Sequence, residues 1–147
     1  MKINFRGVGV EELSFKINRV RLEPNTRIDI KPQFSRQVRK VKDNDKLMFV
    51  ALTIKIENTE SEPKPFDIHV TLVGNFEVDG VAAGSEQERE FVIEATRILF
   101  PYLRAAVTNL TAAAYVTPPL NLPVINGPIF PEDREVYAFT VGDDKLN

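Results

Sequence analysis

The sequence predicts one domain of the α+β class, in which the strands come first and the helical part follows. Four stretches with alternating apolar and polar residues fill roughly residues 5–79, and helix-like sequence fills roughly 85–116. An apolar, Pro-rich segment follows at 118–131. Strands and helices that are segregated along a chain are typical of α+β folds. The length of 147 residues suits one core, so 1–147 is predicted to be a single domain with 132–147 as its tail.

The first two strands carry the weaker pattern. Residues 13–17 and residues 28–34 alternate apolar and polar side chains, and a turn at Pro24 separates the two stretches. Because Pro32 cannot donate a ladder hydrogen bond, we expect the second strand to be irregular or at a sheet edge. The basic run at 36–42 contains no aromatic residue, which favours a solvated strand or edge protection over an RNA-binding surface.

The third and fourth strands carry the clearest pattern. Residues 47–58 and 66–78 each place apolar residues at alternate positions, which gives each strand one apolar face. The polar residues 58–64 between them precede Pro65 and predict a hairpin turn. The apolar face of the fourth strand comprises Phe66, Ile68, Val70, Leu72, Phe76 and Val78.

Helical sequence begins after Gly84. Ser85 stands three residues before Glu88, which is the spacing of a capping box. Apolar residues then recur near a period of 3.6. Pro101 is unfavourable inside a helix by about 3 kcal/mol. We therefore expect a break near residues 99–100 and a second helix with Pro101 in its first turn.

The segment 118–131 is too apolar for a solvated loop. It holds five prolines and six large apolar residues, so it must pack on its own domain, on another subunit or on a ligand. Core or oligomer packing and an exposed groove for extended hydrophobic polypeptide both remain open. Further on, residues 135–141 alternate like a strand.

The residues that carry enzyme chemistry are few in this chain. It has no cysteine, which excludes a disulfide framework, a thiol nucleophile and a thiolate zinc site. His69 is the single histidine and falls on the polar face of a strand beside Asp67, so a surface or interface role is favoured over acid–base catalysis. We expect no enzyme activity, no cofactor and no metal site.

The composition also limits the partners and the compartment. A net charge of -2 gives no broad attraction to nucleic acid. No apolar run approaches the ~20 residues of a membrane span, and residues 1–15 lack the apolar core of a signal peptide. The expected location is therefore the cytoplasm.

Two blocks of sequence carry a resemblance to a known family. Residues 98–104 (ILFPYLR) resemble the ILFPYAR-type signature at the start of the long helix of the SecB family of export chaperones, with Leu103 in place of the usual Ala. Residues 119–130 resemble that family's PQLNLAPVNF…LF stretch, and residues 13–15 and 74–76 give weaker matches in strands. The resemblance covers about residues 5–130.

The resemblance implies a four-stranded antiparallel sheet with helices packed on one face, and a homotetramer built as a dimer of dimers. It implies an ATP-independent chaperone that holds unfolded polypeptides, among them precursor proteins for export. Clients of this family lie in hydrophobic grooves between the sheet, the helix and a lid-like segment. The predicted client-binding residues are Phe76, Val78, Leu120, Leu122, Val124, Ile125, Ile129 and Phe130.

A departure from the family concerns its partner. In the family, acidic positions on the outer sheet face dock the translocase motor SecA. Glu12 keeps one acid, whereas Lys16 and His69 replace two others; with Asp67 they form the predicted partner-docking face. Holding of clients is therefore favoured over delivery to SecA. A SecB-like chaperone dedicated to an antitoxin or another single client, and a structural oligomer without chaperone activity, remain alternatives.

Overall fold

A computed structural model describes residues 3–20, 30–125 and 127–133 of the chain. It contains strands β1 (Ile3–Ile17), β2 (Gln33–Val41), β3 (Asn44–Ile56) and β4 (Phe66–Val78). Helix α1 (Glu86–Ala113) and a short 3₁₀-helix (Pro131–Asp133) follow. The predicted turn at Pro24 and the strand-like residues 135–141 lie outside the described residues.

The four strands form one antiparallel sheet in the order β1-β4-β3-β2, and α1 packs on one face of it. This confirms the predicted fold class. β3 and β4 pair directly and are joined by residues 57–65, which confirms the predicted hairpin. β1 and β2 are the two edge strands, so each has one side without a strand partner among the described residues.

The second strand lies later in the chain than residues 28–34, where it was predicted. β2 instead contains most of the basic run, and its helix-facing positions include Arg36 and Lys40. Because both positions carry a cation, the apolar alternation that reveals a strand is interrupted there. The expected place of the second strand at a sheet edge is confirmed.

The predicted helix break near residues 99–100 is wrong. α1 is a single helix of 28 residues that continues through Pro101 without a break. Leu99 and Phe100 before the proline and Leu103 after it are all buried against the sheet, which keeps the turns on both sides in line. Pro101 lies on the exposed side of the helix, where the loss of its N–H donor is offset by this packing.

The start of α1 is fixed by a half-formed capping box. The backbone N–H of Glu88 donates to Ser85 Oγ at 3.2 Å, as its spacing predicted. The backbone N–H of Ser85 donates to Ala82 O and not to the Glu88 carboxylate, as a complete capping box would require. The Glu88 carboxylate instead accepts from Lys40 Nζ of β2 at 2.7 Å. The same side chain therefore joins the start of the helix to the edge of the sheet.

The core fills the space between α1 and the helix-facing side of β3 and β4. Its fully buried apolar residues include Val50, Leu52, Ile54, Ile56, Ile68, Val70, Phe76, Phe91, Ala95, Leu99, Leu103 and Val107. The helix packs closely on Gly74 of β4, where an added Cβ would lie 2.6 Å from Leu99 Cδ2 and 2.7 Å from Phe76 Cε2. A side chain at residue 74 would therefore have to displace two buried neighbours.

This contact predicts that Gly74→Val lowers the free energy of unfolding by about 1–3 kcal/mol, the usual cost of overpacking a core. Urea denaturation measures the difference. Gly9→Val is the matched control, because Gly9 on the outer face of β1 has no atom within 4 Å of an added Cβ. Its effect should stay within about 0.5 kcal/mol. Equal unfolding midpoints for the two variants would contradict the close contact of α1 with β4.

Candidate functional site

The apolar segment after α1 turns back along the helix and is called the strap here (residues 118–125 and 127–133). At the end of α1, Val116 N–H donates to Thr111 O at 3.0 Å and Tyr115 N–H to Ala112 O at 3.1 Å, with Tyr115 at a φ of 64°. This is the hydrogen-bond pattern of a Schellman cap, which reverses the chain direction. The strap therefore returns over the helix that precedes it.

The first end of the strap is held by two threonines of α1. The backbone N–H of Leu120 donates to Thr111 Oγ1 at 2.9 Å, and Thr111 is fully buried. Thr108 Oγ1 donates to Leu120 O at 3.1 Å and lies 3.0 Å from Asn121 Oδ1. Both backbone polar groups of Leu120 are thus satisfied by the helix, which fixes the strap at this point.

The second end of the strap is held by Arg36 of β2. Its guanidinium donates to both carboxylate oxygens of Asp133, at 2.7 and 3.0 Å, and to Thr96 Oγ1 of α1 at 2.9 Å. The side chains of Arg36 and Asp133 are only 12% and 4% exposed. The guanidinium carbon also lies 4.4 Å from the ring centre of Phe130, within cation–π distance. Removing one member of this pair would leave a buried charge without its partner.

Between its two anchors the strap covers a cavity of about 150 Å³ on the surface of α1. Its apolar walls come from both elements: Ile93, Phe100 and Pro101 of α1, with Val124, Ile125, Pro128 and Ile129 of the strap. Val124 and Ile125 are 69% and 37% exposed. An apolar cavity of this size accommodates one benzene-sized group.

The structure brings only part of the predicted client-binding set together. Val124, Ile125 and Ile129 line the cavity, while Phe130 is buried under Arg36. The remaining four do not line it: Leu120 and Leu122 are half-buried against the core, and Phe76 and Val78 are buried on β4 beneath the helix layer. Core packing covers Phe76 and Val78 within this chain, and their assignment to a client groove stays a prediction.

Sequence reasoning missed the helix side of the cavity. Ile93, Arg97, Phe100 and Arg104 line it and recur three to four residues apart along α1. That spacing places them on one face of a helix. The signal was obscured because the predicted break at Pro101 divided this face between two helices.

The predicted partner-docking residues do lie together, on the sheet face that faces away from α1. Glu12 pairs with Thr71, and Lys16 with Asp67, in the β1–β4 register. Glu12 forms an ion pair with His69 if the imidazole is protonated. The backbone N–H of Asn58 donates to Asp67 at 2.8 Å and holds the pKa of Asp67 below its ordinary value. Asp67 therefore also serves to close the β3–β4 hairpin.

The other acids near this outer face are paired as well. Glu11 accepts from both terminal nitrogens of Arg39, at 2.7 and 3.1 Å, and this hydrogen bonding lowers the pKa of Glu11. Since Glu11 lies on β1 and Arg39 on β2, the pair joins the two edge strands. Glu77 forms an ion pair with Arg6. Much of the negative charge on this face is therefore compensated within the chain.

The edge strand β1 carries a second apolar surface. Val10, Leu13 and Ile17 pair with core-facing residues of β4 and so lie on the helix-facing side. They are nevertheless 59%, 48% and 72% exposed. Exposed apolar residues along an unpaired strand edge are typical of a contact surface.

Across 3–20, 30–125 and 127–133, no group of three or more potential metal ligands comes together. No helix in that part of the chain is long and apolar enough to cross a membrane.

Comparison with known proteins places the fold and the sequence in one family. Residues 2–131 match the family described as preprotein translocase subunit SecB. An uncharacterised protein of Methanocaldococcus jannaschii is 31% identical over 128 residues, which are 84% of this chain and 79% of that protein.

Solved structures share the fold at lower identity. The SecB-like chaperone of Mycobacterium tuberculosis, in complex with an antitoxin peptide, has a TM-score of 0.71 and 15% identity over 86% of this chain and 93% of that one. A protein of unknown function from Streptococcus agalactiae has a TM-score of 0.51 and 13% identity over 84% of this chain and 98% of that one. With the family match over residues 2–131, the chain belongs to the SecB family.

Proposed function

We propose that this chain is an ATP-independent chaperone that holds unfolded or extended polypeptides in the cytoplasm, including precursor proteins for export. One observation carries the proposal: an apolar strap is anchored at both ends over an apolar cavity, and its middle is exposed. An exposed apolar surface of this kind marks an interaction site. The family is one of chaperones rather than enzymes, and no catalytic activity is proposed.

The strap and cavity suit reversible holding. Burial of apolar surface supplies about 25 cal/mol per Å², so one client side chain in the cavity contributes only a few kcal/mol. Stable holding then requires several such contacts along the client or on several subunits. Release needs no nucleotide, because each contact is individually weak.

Replacing Val124 and Ile125 together by Ser should weaken suppression of client aggregation by about tenfold or more. Their exposure means that the fold should lose little stability. Light scattering from a chemically denatured client, with the variant's melting temperature measured in parallel, provides the test. Val41→Ser is a matched control, since Val41 is 37% exposed like Ile125 but lies at the end of β2. Unchanged suppression of aggregation by a folded double variant would show that the cavity does not hold clients.

A dedicated client is the second candidate for this site. The likeness to the Mycobacterium tuberculosis chaperone, which is in complex with an antitoxin peptide, favours it. A dedicated client would use the same strap and cavity, so the two proposals differ in the range of polypeptides held and not in the residues that hold them.

We further propose that the outer sheet face docks SecA weakly. Glu11, Glu12 and Glu77 are the acids available there, and each has a basic partner in the chain. A basic partner would have to displace these bases before it reached the carboxylates. Titration of SecA at low and at physiological salt should therefore show no submicromolar binding.

A gain-of-binding variant sharpens this test. Arg39→Gln with His69→Gln releases Glu11 and Glu12 from their partners and should strengthen SecA binding at low salt. Lys31→Gln is the control, because its partner Glu62 lies in the turn between β3 and β4 and outside this set of acids. Submicromolar, salt-sensitive binding by the unmodified chain would restore delivery to SecA as a function.

Self-association is the proposed role of the apolar surface on β1. A second copy that pairs along this 15-residue edge would cover Val10, Leu13 and Ile17 and satisfy the unpaired backbone groups. Association of two such dimers gives the proposed homotetramer. A purely structural oligomer would use the same edge and would leave the strap without a client.

Val10→Lys combined with Leu13→Lys should reduce the assembly to monomer. At an isologous contact the buried lysines of one subunit lie near the same lysines of the other, and their like charges repel. Light scattering coupled to size-exclusion chromatography should report a tetramer for the unmodified chain, or a dimer as the lesser assembly. Val41→Lys on the opposite edge is the control. A monomeric unmodified chain at micromolar concentration would contradict the assembly.

A further inference from the structure

The cavity under the strap has a charged rim as well as apolar walls. Arg97 and Arg104 line it, seven residues apart on one face of α1. At 1.5 Å per residue their positions are about 10 Å apart along the helix axis. The cavity therefore lies beside two cations whose separation is known.

Neither arginine is strongly compensated. Arg97 donates to Glu94 at 3.0 Å, but the two side chains are 62% and 41% exposed, and such a surface pair is weak. Arg104 forms no ion pair within the part of the chain that the structure describes. Among the described residues, a ligand carboxylate at the cavity would meet no acid competing for Arg104 and would compete with Glu94 for Arg97.

The one carboxylate that lines the cavity does not reverse this charge. Asp133 is bound through both of its oxygens by Arg36, which neutralises it. The rim therefore presents positive charge beside a space that takes one benzene-sized group.

We propose, resting on the holding function above, that this site prefers extended client segments in which a large apolar residue is flanked by Asp or Glu. Alternate side chains of an extended chain share one face, so acids two residues before and two residues after the apolar residue point the same way as it does. At about 3.3 Å per residue these acids are about 13 Å apart, which the long side chains of Arg97 and Arg104 reach from positions about 10 Å apart on the helix. The apolar residue between them enters the cavity. Arginine binds carboxylates through two parallel hydrogen bonds, which favours acids over other polar neighbours.

The test uses synthetic peptides that share one central Phe and differ only at the positions two residues before and two residues after it, which carry Asp, Asn or Lys. Fluorescence anisotropy measures their binding to the full chain. At low salt the Asp peptide should bind about 3- to 10-fold more tightly than the Asn peptide, since exposed charge pairs contribute modestly. The Lys peptide should be weakest. Raising the salt to about 0.5 M should remove most of the difference.

Variants assign the preference to the two arginines. Arg104→Gln and Arg97→Gln should each reduce it, and the pair should abolish it. Arg104→Lys keeps the positive charge and should retain part of the preference for the Asp peptide, which separates charge recognition from loss of structure. Arg6→Gln is the control, since Arg6 pairs with Glu77 on β4, away from the cavity.

The outcomes separate this proposal from the function on which it rests. Equal binding of all three peptides, or tighter binding of the Lys peptide, overturns the charge preference and leaves holding intact. Absence of binding by every peptide overturns the charge preference, while suppression of client aggregation by the same chain tests holding separately. A preference that persists in the double Gln variant also overturns the assignment to Arg97 and Arg104.

Discussion

The buried ion pair of Arg36 with Asp133 joins three parts of the molecule that are distant in sequence. Arg36 comes from the edge strand β2, its hydroxyl partner Thr96 from α1, and Asp133 from the far end of the strap. A guanidinium has enough donors to bind two partners at once while its flat face covers the Phe130 ring. Without Arg36, Asp133 would be buried without its partner and Phe130 would lose the cation that lies over its ring.

The two anchors of the strap differ in chemistry, and this difference matters for client binding. At Leu120 the chain is held by neutral hydrogen bonds from Thr108 and Thr111, whereas at Asp133 it is held by a buried charge pair. Both ends are costly to release, since each would leave buried polar groups unsatisfied. Between these ends Val124 and Ile125 are 69% and 37% exposed. Any adjustment to different client side chains is therefore expected at these two residues, which line the cavity.

The sequence was sufficient for the central strands, the start of the helix and the fold class, because these depend on local patterns. β3 and β4 have nearly uninterrupted apolar alternation, and Ser85 caps α1 as its spacing indicates. β2 and the continuity of α1 could not be predicted in the same way. Arg36 looks like a solvent residue until Asp133, 97 positions later, is brought to it. Pro101 looks like a helix break until the burial of Leu99 and Leu103 against the sheet is known. In both cases tertiary contacts override a local rule.

The same distinction explains why the candidate site was found only in part. The apolar residues of the strap stand out in sequence because a loop rarely contains so many, but the helix face opposite them does not, since apolar residues on a helix usually serve the core. Only the returning chain shows that Ile93 and Arg97 line a cavity while Leu99 and Leu103 face the sheet; Phe100 contacts Phe34 of β2 and also lines the cavity. α1 therefore packs on the sheet with one face and lines the cavity with another. Arg97 and Arg104 lie on the face that the strap covers. On the opposite side of the sheet, acids and bases neutralise one another. The positive charges of Arg97 and Arg104 lie beside the apolar cavity under the strap. An extended polypeptide bound there would bury apolar surface and contact these cations at the same place.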